Sequence, residues 1–211
     1  RRGLLQGMLS AGALVLSVQV FPETLVAAAT AGGDAMTGAA FQSGVYLAIE
    51  SDGTVHIIAH RSEMGNGSKT ALPRVLADEL EADWKRVKLE QATGDEKFGA
   101  QDTDGSHSVR DFYEPMRQAG ATARLMLVRA AAQKWNVPEK ECKAELHAVA
   151  HAASGKKLGY GELAAAAAKL PVPKKEDLQY KPKSAWRYIG KEAKSYDIEN
   201  LVSGKAIYGQ D

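Results

Sequence analysis

Between two runs of strand-forming residues, Val45-Tyr46-Leu47-Ala48-Ile49-Glu50 and Thr54-Val55-His56-Ile57-Ile58-Ala59-His60, stand Ser51, Asp52 and Gly53. An Asp-Gly pair accepts the positive φ values of a tight hairpin turn at little cost, so the spacing predicts two antiparallel strands in residues 45–60. Beyond this hairpin the chain alternates between helical and strand periods. Ala71, Leu72, Val75, Leu76 and Leu80 recur at helical spacing and predict a helix from Ser68 to Glu81, with Pro73 early enough for its first turn. Val87 to Gln91 reads as a strand. Met116, Ala119, Ala123, Met126, Leu127 and Ala130 predict a long helix from about Pro115 to Trp135, closed by Asn136-Val137-Pro138. A second hairpin is expected within Ala144 to Leu158, turning at Ala153-Ser154-Gly155-Lys156, and an alanine-rich helix from Tyr160 to Leu170. The order β-β-α-β-α-β-β-α predicts an α+β fold, a mixed strand and helix layer over residues 44–170.

The flanks read differently. Arg1-Arg2 opens an uncharged run through Leu4, Leu14, Val15 and Leu16 to Phe21, followed by Pro22 and the small residues Ala27-Ala28-Ala29. Twin arginine, a moderately apolar segment and a small-residue region form an export signal of the twin-arginine type over residues 1–29. If retained, Leu4 to Val20 would be an apolar helix anchored in or on the membrane, ended by Pro22; if processed, the chain would be cut at the alanines. Residues 30–43 are rich in Gly, Ala and Thr without a period and read as a linker. Beyond Pro171-Val172-Pro173, lysine-rich and proline-containing stretches predict an extended segment over 171–211, leading to or wrapping a partner domain. Val202 to Gly209 reads as the start of a strand.

Composition narrows the function classes. The 27 Lys+Arg against 26 Asp+Glu leave a formal charge of +1, which argues against an electrostatic nucleic-acid binder. A 45% hydrophobic and 25% charged chain folds rather than staying disordered. A single cysteine, Cys142, excludes an internal disulfide, and no Cys/His cluster has the spacing of a zinc or iron–sulfur site.

Three features could carry chemistry. Ser62-Glu63-Met64-Gly65-Asn66-Gly67 lies between a predicted strand and a predicted helix N-terminus. Its two glycines let backbone amides approach a ligand, and the helix start offers unpaired N–H groups to a phosphate or oxo group; the same pattern also serves as a plain turn. Gly105-Ser106-His107-Ser108-Val109-Arg110 closes a long loop, Ala92 to Ser108, of the kind that is usually functional or disordered. It could present an anion nest, with Ser108 equally suited to be a helix cap. The histidines fall in pairs, His56 with His60 and His147 with His151, each four apart on a predicted strand and so on one face. Neither pair has a third ligand at workable spacing for a metal, whereas His107, inside the second loop, could hydrogen-bond a ligand.

Taken together, these residues resemble the molybdenum-cofactor-binding region of the xanthine oxidase and aldehyde oxidoreductase superfamily. Within it they resemble the isoquinoline 1-oxidoreductase β-subunit-like branch, which includes the large subunits of membrane-bound aldehyde dehydrogenases of acetic acid bacteria. The resemblance rests on Arg61-Ser62-Glu63-Met64-Gly65-Asn66-Gly67, Thr70-Ala71-Leu72-Pro73, Leu76-Ala77-Asp78-Glu79-Leu80 and Gly105-Ser106-His107-Ser108-Val109-Arg110. It continues through Arg117-Gln118-Ala119-Gly120-Ala121 and Tyr160-Gly161-Glu162-Leu163 to Gly204-Lys205-Ala206.

The resemblance implies a molybdenum-bearing pterin dinucleotide, in this branch the cytosine form, shared with the remainder of the molybdenum subunit. It implies that Met64, Gly65, Asn66 and Gly67 lie against the pterin and the molybdenum, with Asn66 standing where the family usually has glutamine. It implies that Gly105, Ser106, His107, Ser108 and Val109 wrap the pterin with backbone groups. The base glutamate of the superfamily lies far towards the C-terminus of the full-length subunit and has no match here, so no catalytic residue and no metal ligand is expected on this chain. The implied reaction is oxidation of an aldehyde to a carboxylic acid, or hydroxylation of an N-heterocycle, with oxygen from water. Electrons would leave through [2Fe–2S] clusters on a small subunit and then through heme c of a cytochrome c subunit to quinone, at the periplasmic side of the membrane. The other reading of the same residues is an exported, non-catalytic assembly or binding module that keeps the fold.

Overall fold

The computed structural model describes residues 14–17 and 45–208. Strands β1 (Leu14–Ser17), β2 (Val45–Ile49), β3 (Val55–Ala59) and β4 (Val87–Gln91) form one sheet in that order. The Asp52-Gly53 turn is where the sequence puts it: Leu47 pairs with Ile57 and Ile49 with Val55, Gly53 has φ +89°, and the Asp52 carboxylate accepts from the Thr54 amide at 2.7 Å. β3 and β4 run parallel, from Val55 against Val87 to Ala59 against Gln91, so helix α1 (Ser68–Leu80) is the crossover of a β-α-β unit. Pro73 is the sixth residue of α1 rather than part of its first turn, so it forfeits the bond its missing N–H would make to the Lys69 carbonyl.

Leu14–Ser17 corrects the expected N-terminal helix. These four residues pair antiparallel with β2, Leu14 opposite Ile49 and Leu16 opposite Leu47. A short apolar run carries no period that separates helix from strand, and the free edge of β2 supplies the pairing. The rest of the proposed signal, residues 1–13 and 18–29, and the linker 30–43 lie outside the described residues. Among the described residues no helix is long and apolar enough to cross a membrane.

Helix α2 (Ser108–Trp135) starts seven residues before Pro115, because Phe112 continues the buried stripe of Met116, Ala119 and Ala123 back by one turn. Asn136, at φ +53°, caps its C-terminus and returns the Val137 amide to the Ala132 carbonyl. α2 crosses α1 at Gly120. A Cβ there would stand 2.4 Å from the Leu76 carbonyl oxygen and 2.8 Å from Glu79 Cβ, so only glycine allows the two backbones this close.

A second, antiparallel sheet, β5 (Cys142–Glu145), β6 (Ala148–His151) and β7 (Lys156–Gly159), precedes α3 (Tyr160–Ala167). The predicted turn before Lys156 is present. The turn between β5 and β6 is not one the sequence announces: Leu146 and His147 both take positive φ, +39° and +69°. His147 is therefore a turn residue and not a strand partner of His151. Its ring Nδ1 accepts from the Asp83 amide at 3.2 Å and its Nε2–H donates to the Gly53 carbonyl at 2.7 Å, which bolts the second sheet to the first hairpin. Leu47, Ile49, Val55, Ile57, Leu72, Leu76, Leu80, Met126, Leu127, Ala144, Val149 and Leu163 unite both sheets and the helices in one core.

After α3 the chain is extended apart from single 3-10 turns and a short helix α4 (Ile198–Val202), so Val202 ends a helical turn rather than opening a strand. The extended segment is clasped to the C-terminal end of α1 by charge. The fully buried Asp78 carboxylate accepts from Lys181 Nζ at 2.6 Å and from the amides of Arg187, Tyr188 and Ile189 at 3.1, 2.8 and 2.8 Å. Glu79, equally buried, takes Arg117 Nε at 2.8 Å, Arg124 Nη1 at 3.3 Å and the Lys181 amide at 3.1 Å. Glu81 takes Lys181 Nζ at 2.5 Å and Arg187 Nη2 at 3.1 Å. Each carboxylate is thus matched by cations or amides, which offsets the cost of taking it out of water.

Candidate functional site

The two loops singled out in the sequence are brought side by side, and what joins them is Arg61. Its side chain is fully buried at the end of β3; Nε donates to Ser108 Oγ at 3.1 Å and Nη1 to the Ala100 carbonyl at 3.0 Å, with Asp102 Oδ1 at 3.5 Å. The guanidinium lies 5.0 Å over the Phe112 ring. Next to it the Ser62 carbonyl accepts from Thr103 Oγ1 at 2.6 Å and Ser68 Oγ at 3.2 Å, while the Ser62 amide donates to the Gln101 carbonyl at 2.9 Å. Residues 61–68 and 100–108 therefore share one set of hydrogen bonds at their roots. Ser108 is the first residue of α2 and not its cap; its hydroxyl serves Arg61 instead.

The first loop leaves its roots as an open turn. Gly65 and Gly67 have φ of +94° and +81°, values that suit glycine, and a Cβ built on either meets nothing within 4 Å. The glycines are needed for conformation, and the space beside them is free. Met64 is 71% exposed, unusual for an apolar side chain, and Asn66 is exposed beside it. The amides behind the loop are not free. Glu63 Oε1 accepts from Gly65 N at 2.8 Å and Gly67 N at 2.9 Å, and Oε2 from Lys69 N at 2.9 Å. Partial burial works to raise the pKa of this carboxyl, but the hydrogen bonds from Gly67, Lys69, Gly65 and Asn66 outweigh it and hold the group below the usual glutamate value. The unpaired N–H groups expected here for a phosphate or oxo ligand are thus already taken by a side chain of the same loop.

The second loop carries two consecutive left-handed residues, Gly105 at φ +50° and Ser106 at +56°, both exposed. His107 folds back onto its own loop, Nε2 lying 2.5 Å from Asp104 Oδ1 and Nδ1 3.1 Å from Asp111 Oδ2. Asp102, Asp104 and His107 bring ligand-type atoms within 4.8 Å of one another, on the surface and beside the Arg61 guanidinium. Val109 follows at the surface, 44% exposed.

Beneath both loops lies His60, fully buried, its ring 5.0 Å from Tyr46 and 4.4 Å from Phe112, with neither ring nitrogen hydrogen-bonded. Burial, with the Arg61 charge adding to it, pushes its pKa down to about 4, so it is neutral at physiological pH. His56 sits apart, between Glu90 at 2.9 Å and Glu50 at 2.8 Å, and His151 contacts Ser154 and Glu141. The histidine pairs thus share no ligand geometry. The residues that organise the site and that sequence reasoning passed over are Arg61 and Glu63, both quoted only within the motif. A charged residue placed directly after a buried strand was the available signal for Arg61.

Comparison with known proteins adds the family. Residues 17–200 match the molybdopterin cofactor-binding domain family. The chain is 32% identical along its whole length to the isoquinoline 1-oxidoreductase subunit beta of Brevundimonas diminuta, covering 31% of that protein. It is 35% identical over 82% of its length to the membrane-bound aldehyde dehydrogenase [pyrroloquinoline-quinone] of Gluconacetobacter polyoxogenes, covering 22% of it. The chain therefore spans less than a third of either relative. Among solved structures, the CO dehydrogenase of Oligotropha carboxidovorans shares the fold, with a TM-score of 0.50 at 21% identity over 57% of this chain and 15% of that one. By the extent of the family match, this chain belongs to the molybdopterin cofactor-binding domain family.

Proposed function

We propose that the chain is the N-terminal part of the molybdenum subunit of an exported hydroxylase that oxidises an aldehyde to a carboxylic acid. In this reading its two paired loops form one wall of the site for molybdopterin cytosine dinucleotide. The observation that carries it is the joining of residues 61–68 to 100–108 by Arg61 and Ser62, which turns two separate motif matches into one continuous surface. The loops suit a pterin: the space over Gly65 and Gly67 admits a flat ligand against backbone, and Met64 and Asn66 flank it. When bound, the cofactor supplies the two-electron redox chemistry. This chain positions and shields it. Met64 and Gly65 would exclude water from one face, the Asn66 amide would donate towards the molybdenum end, and the 105–109 backbone would follow the pterin edge. The reaction's base and the substrate pocket would come from the remainder of the subunit.

As the family resemblance implies, electrons would pass to [2Fe–2S] clusters on a small subunit and on to heme c of a cytochrome c subunit. The Arg1-Arg2 start supports export by the twin-arginine route to the periplasmic side of the membrane. Metal analysis and nucleotide release on the purified complex test the reading: about one molybdenum and one cytosine nucleotide per subunit are expected. Their absence from a fully assembled complex would leave the non-catalytic module in its place. The similarity to an isoquinoline oxidoreductase along the whole chain favours, as a second reading, hydroxylation of an N-heterocycle. Turnover of isoquinoline but not of acetaldehyde would select it. N-terminal sequencing of the mature protein decides whether residues before Ala29 are retained.

A further inference from the structure

The Glu63 carboxylate is held by three backbone amides, at 2.8, 2.9 and 2.9 Å, and two of them, Gly67 and Lys69, belong to the N-terminal end of the 13-residue helix α1. A helix start is the place where an external anion would otherwise dock. Here the anion is internal, and it arrives from four residues before the cap, so that the segment from Met64 to Gly67 must loop around it. The consequence is directional. The amide side of the loop is closed, with Asn66 Oδ1 itself lying 3.4 Å from the Ser68 amide, and what stays open to a ligand is the exposed Met64, the exposed NH2 end of Asn66 and the space beside both glycines, where no atom lies within 4 Å of a Cβ. We propose that Glu63 is the positioning residue of this loop: its carboxylate pre-forms the turn that presents Met64 and Asn66 to the cofactor, and it keeps the N-terminus of α1 from binding the cofactor's phosphates. This role rests on the functional reading above.

Glutamine at this position separates charge and geometry from mere bulk. Its amide oxygen can still accept from Gly65 and Gly67, but its NH2 group faces the Lys69 N–H, donor against donor. The test uses the complete subunit in its assembled complex, as wild type, E63Q and E63A. It follows amide hydrogen exchange in peptides covering residues 63–70, molybdenum content, and the electron paramagnetic resonance spectrum of the reduced molybdenum. Exchange in this segment should accelerate at least tenfold in both variants while the rest of α1 keeps its protection. Molybdenum content should fall severalfold, and the signal of the remaining metal should change shape. Millimolar inorganic phosphate should restore protection in E63A, by filling the vacated amides, and leave the wild type unchanged. A loaded wild type beside an equally loaded E63Q with the same spectrum would overturn this role alone, as would protection of the wild-type loop by phosphate. A wild-type complex without molybdenum overturns the functional reading and this role together.

Discussion

His60 makes the sheet that carries the site sensitive to acid. It is buried neutral, with a folded pKa of about 4 against an ordinary value of 6.5. A base whose folded pKa is depressed contributes its full stability above the unfolded pKa and loses it as pH falls, because the unfolded chain takes up a proton that the folded one refuses. Between pH 7.5 and 4.5 a depression of this size removes about 2–3 kcal/mol, on the order of 50-fold in the opening equilibrium. The substitution His60→Phe removes the titration while keeping an aromatic ring between Tyr46 and Phe112, and it also removes two buried ring nitrogens that have no partner. Hydrogen exchange of the β2 and β3 amides in the complete subunit, corrected for intrinsic rates, measures this sheet's own opening. The wild type should lose about 50-fold more protection than His60→Phe between the two pH values. Equal losses in the two proteins would refute the argument, since the carboxylates and His147 titrate alike in both.

Other expectations come from the close contacts. Gly120→Ala puts a Cβ against the Leu76 carbonyl and must part α1 from α2 by about 1 Å; a cost of about 1–3 kcal/mol, set against a helix-propensity gain of about 1 kcal/mol, should lower the thermal midpoint of the domain and never raise it. Asp78→Asn leaves Lys181 Nζ facing an amide and weakens three backbone bonds, so the chain from Lys181 to Ile189 should be cut by trypsin at least tenfold faster in the folded protein. Arg61→Lys cannot reach Ser108 and Ala100 together, so molybdenum content should fall while far-ultraviolet circular dichroism is unchanged.

What the sequence makes legible is whatever is written in local chemistry. The Asp52-Gly53 hairpin, the spans of α1 and β4 and the C-terminal limit of α2 follow from turn residues and apolar periods. The Leu146-His147 turn does not, because neither residue favours positive φ; His147 is held there by Gly53 and Asp83, remote in sequence. The early start of α2 was hidden by Pro115, which reads as a first-turn residue but is tolerated within the helix. For Leu14–Ser17 the deciding partner is the edge of β2, which no local pattern reveals. The site divides in the same way. Gly65, Gly67 and the 105–109 loop stand out by composition, whereas Arg61 and Glu63 acquire their roles only when remote carbonyls and nearby amides converge on them.

The acidic end of α1 also bears on the order in which the chain can fold. Asp78, Glu79 and Glu81 lie at or just past the helix terminus where the peptide dipoles already place negative charge, and are unfavourable there on their own. Arg117 and Arg124 relieve Glu79 as soon as α2 has docked, but Lys181 and Arg187, which relieve Asp78 and Glu81, leave the ribosome about a hundred residues after α1. Sheets and helices can therefore assemble early, with Asp78 and Glu81 left without their cations until residues 181–189 dock. A nascent chain halted before Lys181 would hold these sheets and helices with an unsealed, acid-tipped α1.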